Sequence, residues 1–293
     1  MRKYWLILLF FVGMVCYVSA GESHPRVVSA GGSITEWIVA LGAENDLVGV
    51  DTTSLYPERI RKLPKVGYQR QLNAEGVASL KPTLVVGTPE MGPETVMKQL
   101  NDLGIRVETL SNTADFKAVA DNLTTLGKLL NKEEQAKQLY QSYHAKFDQV
   151  DQLVKKAQGQ NKPPKVILVM GIQGGLLAAG RGTTSDWLIK QAGGKNVVSF
   201  DGYKSISNEA LLALKPDVII IANRTGRLND EAIKKMVDAD PSLALTNAVK
   251  NNKVIGLDAS LLVAGLGPRL SDEALRLVAI FYNLPSVQTV LVN

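Results

Sequence analysis

The chain is poor in the side chains that most metal and thiol chemistry uses. Its 293 residues hold one cysteine, Cys16, and two histidines, His24 and His144. A single cysteine excludes an intramolecular disulfide framework and any multi-cysteine zinc or iron–sulfur site. Two histidines are too few for a poly-histidine metal centre. Aromatic residues are also scarce, at 6%. Basic residues outnumber acidic ones by 33 to 28, a formal charge of +5, but no dense Lys/Arg run is present and no nucleic-acid partner is expected. Only one apolar stretch approaches spanning length, which excludes a polytopic membrane protein. What is present is ordinary for a folded chain: 45% hydrophobic, 21% charged, mean hydropathy +0.03. Disordered tails and collagen-like repeats are excluded. At about 150 residues per domain the length suggests two domains.

The first twenty residues have the grammar of an export signal. Arg2 and Lys3 precede an apolar run from Leu6 to Val18, and Val18-Ser19-Ala20 supplies small residues for cleavage. The run is shorter than the roughly 20 residues of a spanning helix. Cys16 follows the bulky Val15, which argues against lipoprotein processing. Cleavage after Ala20 leaves 273 residues with 31 basic and 28 acidic side chains, net +3, and no cysteine. Such a chain has no thiol to act as a nucleophile or to be oxidised outside the cytosol. A cleavable signal without lipidation implies the periplasm, where an outer membrane confines a free protein.

Beyond the signal, short apolar runs alternate with helical patterns. Strands are expected at Arg26–Ala30, Leu47–Val50, Thr83–Gly87 and Arg106–Leu110, with Ser33-Ile34-Thr35-Glu36 as a capping box opening a helix. Continuous rather than alternating apolar runs suit a buried parallel sheet. From Asn131 to Gln158 the rhythm breaks into one amphipathic helix, with Ala136, Leu139, Tyr140, Tyr143, Phe147, Val150, Val154 and Ala157 on one stripe. The α/β rhythm then restarts with strands Val166–Met170, Val218–Ala222 and Val254–Leu257 and helices Ser185–Ala192 and Asp272–Tyr282. The segments AEGVASLKPTLVVG (74–87) and NEALLALKPDVIIIA (208–222) read as one unit used twice. The fold class expected is therefore α/β, two Rossmann-like lobes joined by one long connector helix, with a ligand cleft between them. The expected organisation is a signal peptide over 1–20, an N-terminal lobe over 21–130, the connector over 131–158 and a C-terminal lobe over 159–293. A single crossing helix resists wide hinge motion, so opening is expected to be small.

Catalytic signatures are missing. Gly31-Gly32-Ser33 is not a dinucleotide fingerprint, and neither G-x-x-x-x-G-K-[ST] nor G-x-S-x-G occurs. With no mature cysteine, His24 in the expected terminus and His144 on the connector, nucleophile–histidine pairs have few possible members. Binding is favoured over catalysis, and no catalytic residue is assigned. One loop carries chemistry of another kind: Tyr68 and Arg70 in GYQRQLNAEGV (67–77). A tyrosine phenolate can ligate ferric haem, and a guanidinium two residues on can support it by a charge-assisted hydrogen bond. A loop tyrosine that packs its ring and bonds through its hydroxyl fits the same residues, and the segment alone does not choose between them.

Over essentially the whole mature length the chain resembles the periplasmic haem-binding proteins of bacterial haem ABC importers, in the helical-backbone class of substrate-binding proteins. The resemblance rests on GYQRQLNAEGV, the two Leu-Lys-Pro joins, PEMGPE (89–94) and LLVAGLGPRL (261–270). It implies haem as transported ligand, Tyr68 as axial iron ligand and Arg70 as its hydrogen-bond partner. Relatives that stack a second haem on a histidine have it where this chain has Gln173, so one haem is expected. The rest of the cleft wall is expected from the small or apolar residues Met91, Gly92, Ile172, Gly174, Gly265 and Leu266, with Arg224 as a candidate for the propionates or a solvated loop arginine. The resemblance also implies docking to a permease dimer at the inner membrane through one glutamate per lobe, assigned to Glu94 and Glu209. A monomer is expected. The alternatives are a cobalamin or iron–siderophore binder of the same fold, and an exported α/β hydrolase or transferase.

Overall fold

The computed structural model describes residues 24–284 apart from 173, 174, 225 and 240, and the backbone alone at 172, 239, 241 and 242. The candidate signal, Cys16, Gln173 and Gly174 therefore lie outside the described residues, as does the side chain of Ile172. Among the described residues no helix is long and apolar enough to cross a membrane.

The chain begins with β1 (Val27–Ala30), α1 (Gly32–Ala40), β2 (Leu47–Val50), a two-stranded hairpin β3 (Gly67–Tyr68) and β4 (Gln71–Leu72), α2 (Ala74–Ser79), β5 (Leu84–Gly87), α3 (Glu94–Asp102) and β6 (Arg106–Thr109). The order β2-β1-β5-β6 is parallel throughout. β1 and β5 are buried along their whole length, as their unbroken apolar runs require in a sheet covered on both faces.

Two helices follow, α4 (Phe116–Leu130) and α5 (Glu133–Gln158). α5 starts at Glu133 rather than Asn131, because Asn131 closes α4 in the left-handed conformation (φ 54°). The C-terminal half comprises β7 (Lys165–Ile172), β8 (Gly175–Ala179), α6 (Thr184–Gln191), β9 (Lys195–Asn196), β10 (Tyr203–Ile206), α7 (Asn208–Ala213), β11 (Val218–Asn223), α8 (Asp230–Ala239), α9 (Pro241–Ala244), α10 (Asn247–Lys250), β12 (Val254–Asp258) and α11 (Leu270–Tyr282). Its sheet runs β10-β8-β7-β11-β12; β7, β11 and β12 are parallel, while β8 and β10 are antiparallel additions. β7 and β8 pair antiparallel, from Val169 opposite Ala178 to Ile172 opposite Gly175. α4, β8 and β10 have no counterpart in the pattern read from the sequence.

The repeated unit is repeated in atomic detail. Lys81 and Lys215, each before its proline, adopt φ of 49° and 50°. Thr83 donates its N–H to the Arg26 carbonyl and takes the Arg26 N–H on its hydroxyl; Asp217 donates to the Lys165 carbonyl and takes the Lys165 N–H on its carboxylate. One α/β join is thus used at the foot of β5 and of β11.

α5 buries Ala136, Tyr143, Phe147, Val150 and Ala157 in a core that takes in Trp37 of α1, Leu126 of α4 and Leu277 and Phe281 of α11. Phe116, Phe147 and Trp187 carry it across the two halves as edge-to-face pairs 5.1–5.4 Å apart.

A second tie joins the halves. The loop between β12 and α11 lies on α1: Ser33 N–H donates to the Val263 carbonyl (3.3 Å), Ser33 Oγ to Ala264 O, and Trp37 Nε1 to Leu266 O (2.8 Å). Arg269 forks onto Glu36, reaches Asp258 and Ser260, and lies 4.1 Å over the Tyr56 ring. Burial, foremost, pushes the Glu36 carboxyl above its ordinary range, and Arg269 opposes the rise. The expected capping box is therefore not formed. Gly31 caps α1 without a side chain, and Ser33 and Glu36 reach across to the other half.

Candidate functional site

β3–β4 is a short hairpin on the N-terminal side of the cleft. Tyr68 faces Gln71 across it, leaving Gln69 and Arg70 as the turn. Asn73 Oδ1 accepts from Gly76 N–H and starts α2 immediately after. Gly92 pins the hairpin from behind: its N–H donates to Gln69 O at 2.9 Å and its carbonyl accepts from Leu72 N–H at 2.8 Å. With its backbone so fixed, Tyr68 projects from the turn and is 41% exposed.

A cavity of about 820 Å³ opens in front of it, within the range of small-molecule sites. On the N-terminal side it is lined by Thr52, Thr53, Leu55, Tyr68, Gln69, Arg70, Glu90 and Asn112. The C-terminal wall includes Met170, Thr183, Thr184, Tyr203 and Arg224, and the β12–α11 loop contributes Leu262 to Gly265. The loop fits because Gly31 has no Cβ. Its φ is 121°, and a Cβ there would stand 2.6 Å from Ala264 Cβ. Gly31 N–H donates to Asp51 Oδ1 at 3.0 Å, so the glycine pair at the head of α1 is a tight turn held by a carboxylate.

Of the residues expected at the site, Tyr68, Arg70, Arg224 and Gly265 line this cavity. Met91, Gly92 and Leu266 do not. Met91 packs into the N-terminal core, Gly92 is spent on the hairpin, and Leu266 is buried with its carbonyl on Trp37. Nor is the wall as apolar as expected, since Thr183, Thr184 and Tyr203 belong to it.

Two tyrosines face one cavity in different electrostatic settings. Arg70 stands beside Tyr68, with Glu90, foremost, and the Tyr68 oxygen strengthening its hold on its proton. Tyr203 is 38% exposed by its ring, but its hydroxyl is tucked 3.3 Å from Ser185 Oγ. Burial, foremost, pushes that phenol above its ordinary range; hydrogen bonds with Ser185 and Thr183 oppose the rise and the nearby Glu90 charge adds to it. Arg70 with its partner Glu90 therefore neighbours one phenol, and burial dominates the setting of the other.

Sequence reasoning missed Glu90, Gln69 and Tyr203. Glu90 was visible in PEMGPE. Gln69, 2% exposed with Oε1 unpartnered among the described residues, lies between the two named residues of the loop. Tyr203 had no signal, because it reaches the cleft only through the antiparallel β8/β10 extension. Neither histidine lines the cavity: His24 lies by Asp46, and His144 by Asp148 on α5. Among the described residues no group of three or more His, Cys, Asp or Glu is placed to hold a metal ion.

Glu94 and Glu209 are both exposed, but they do not correspond in the repeat. Glu209 is the second residue of α7, whose counterpart is α2, where Glu75 holds that position; Glu94 opens α3.

Two α/β lobes meeting around a partly polar cavity, tied by a helix and a loop, define a bilobal ligand-binding protein. The chain belongs to the Periplasmic binding protein family, whose model matches residues 27–261. It is similar to the high-affinity heme uptake system protein IsdE of Staphylococcus aureus, at 31% identity over 87% of this chain and 89% of the relative. Among solved structures it resembles a periplasmic heme binding protein from Pseudomonas aeruginosa, at 46% identity, TM-score 0.83, covering 89% of this chain and 94% of the other. It also resembles the periplasmic heme-binding protein BhuT, solved in complex with two hemes, at 34% identity, TM-score 0.77, covering 88% and 98%. The family is one of substrate-binding transport proteins rather than enzymes.

Proposed function

We propose that the protein is exported, binds one ferric haem in the cleft through the Tyr68 phenolate, and delivers it to an ABC permease at the inner membrane. The observation that carries the reading is Tyr68 on a rigid hairpin, open to the cavity and beside Arg70. A free phenol ionises near pH 10. Ferric iron displaces that proton, and an adjacent guanidinium favours the anion left behind. Leu55, Met170, Leu262 and Val263 offer apolar contact to a porphyrin face, and Arg224 offers a cation to its carboxylates. The names of the similar proteins support haem as the cargo. A cobalamin or an intact siderophore brings its own metal ligands and would leave Tyr68 without a role.

Hemin added to the purified protein is expected to give a high-spin ferric tyrosinate spectrum that is absent in Tyr68→Ala, with saturation at one equivalent. An unshifted Soret band in the wild type overturns the reading; saturation at two equivalents overturns the single-haem part of it. For delivery, Glu209 on α7 and Glu94 on α3 are the docking carboxylates, and Glu75 joins them because it occupies the position of Glu209 in the repeat. Such rim charges act on registration and on-rate more than on affinity. Charge reversal at Glu209 with either Glu75 or Glu94 is expected to cut uptake while hemin binding persists.

A further inference from the structure

Arg70 has two claims on it. It stands beside Tyr68, but its Nη2 is 2.7 Å from Glu90 Oε1, and Gln69 Nε2 holds the other oxygen of Glu90 at 3.3 Å. Glu90 lies in the loop after β5, on the cavity wall. The Tyr203 hydroxyl comes under the influence of the same carboxylate from the opposite lobe. A guanidinium paired with a carboxylate presents less net charge to a third group, and the Nη2 bond to Glu90 draws Arg70 toward the carboxylate and away from Tyr68.

We propose that Glu90 is a positioning residue that competes with the Tyr68 phenolate for Arg70 and so limits how firmly the cleft holds its ligand. The inference rests on the haem reading above. A carrier must give up its cargo, and a carboxylate within reach of the supporting cation supplies an exit. With Arg70 drawn to Glu90, the phenolate has a weaker charge-assisted partner and is a weaker iron ligand. Gln69, buried and bonded to Glu90, keeps the carboxylate aimed at the turn.

The test loads the mature protein with hemin and follows its loss to excess apomyoglobin, in the wild type, Glu90→Gln, Glu90→Ala, Arg70→Ala and the Glu90→Gln/Arg70→Ala double variant. Both single Glu90 variants are expected to lose hemin more slowly, by about threefold, the scale of one partly screened charge contact. Their tyrosinate charge-transfer band should shift from the wild-type position. Arg70→Ala should lose hemin faster, and in that background Glu90→Gln should change neither rate nor band. A wild-type or faster rate in both Glu90 variants overturns the proposal, as does an undiminished Glu90→Gln effect without Arg70. If the wild type takes up no hemin, the haem reading fails and this inference with it. If hemin binds through Tyr68 and the Glu90 variants behave as wild type, this inference alone fails.

Discussion

The two lobes share an α/β unit and differ in what they present to the cleft. At the feet of β5 and β11 the same helix, the same left-handed lysine and the same reciprocal pair of hydrogen bonds recur. At the cleft the likeness ends. The N-terminal lobe offers a hairpin that carries a phenol and a guanidinium, with a carboxylate from the loop after β5. The C-terminal lobe offers a sheet extended by β8 and β10, and its share of the lining includes Thr183, Thr184, Tyr203 and Arg224. The repeat therefore builds the scaffold, and the parts outside the repeat build the site. Scaffold joins are constrained by backbone hydrogen bonds that both copies must satisfy, whereas loops at strand ends can change without disturbing the sheet.

The contrast between the two cleft tyrosines is the sharpest form of this difference and the easiest to break. Tyr68→Ala is expected to weaken hemin binding by about 100-fold or more, since the metal bond itself is lost. Tyr203→Phe should change it by no more than about threefold, a neutral hydrogen bond at most. Equal losses would mean that both lobes supply ligands. Equilibrium titrations at one salt concentration decide it.

Next in size is the tie between the lobes. Arg269→Met leaves Glu36 buried without its partner and is expected to cost about 3 kcal/mol at pH 7 in urea unfolding. The pH dependence follows from the raised Glu36 carboxyl. A group that binds its proton more tightly when folded contributes stability fully below its ordinary value of 4.5 and loses it as pH rises through the folded value. The cost of Arg269→Met should therefore shrink as pH is lowered toward 4.5. A pH-independent cost would mean that Arg269 acts through its packing on Tyr56 instead.

Smaller effects test the repeat itself. Asn73 and Ser207 cap the equivalent helices α2 and α7 through Gly76 and Ala210 N–H. Their alanine variants should each cost about 1 kcal/mol, with Asn73 the greater because its bond is shorter, 2.7 against 3.2 Å. The smallest expected change is in shape. With α5 and the β12–α11 loop both joining the lobes, hemin should cause no compaction resolvable by small-angle scattering, and a shift of several ångströms would show that the loop tie yields.

Much of this was legible in the sequence. Fully buried parallel strands announce themselves by unbroken apolar runs, and the Leu-Lys-Pro joins by their repetition. The long helix was visible in its stripe, apart from its start, where Asn131 belongs to the turn before it. Tyr68 and Arg70 were legible because they lie two residues apart on one hairpin. Glu90 is twenty residues from Arg70, and their 2.7 Å contact exists only after β5 and the hairpin are stacked. Met91 and Leu266 look like wall residues in sequence and prove to be core, because the side a loop residue turns to is set by its neighbours in space. The apparent capping box fails for the same reason. Ser33 and Glu36 satisfy the local pattern, but partners more than two hundred residues away bind them instead.

By itself, then, the sequence determined the periodicity, the duplicated join and the pairing of a phenol with a guanidinium on one turn, all properties of residues close in the chain. Only the tertiary structure decided which carboxylate that guanidinium meets, which second tyrosine faces the first, and what holds the lobes together. Those depend on surfaces brought into register by the packing of two sheets around α5, and an ion pair or a hydroxyl contact forms only once that packing has fixed its distance.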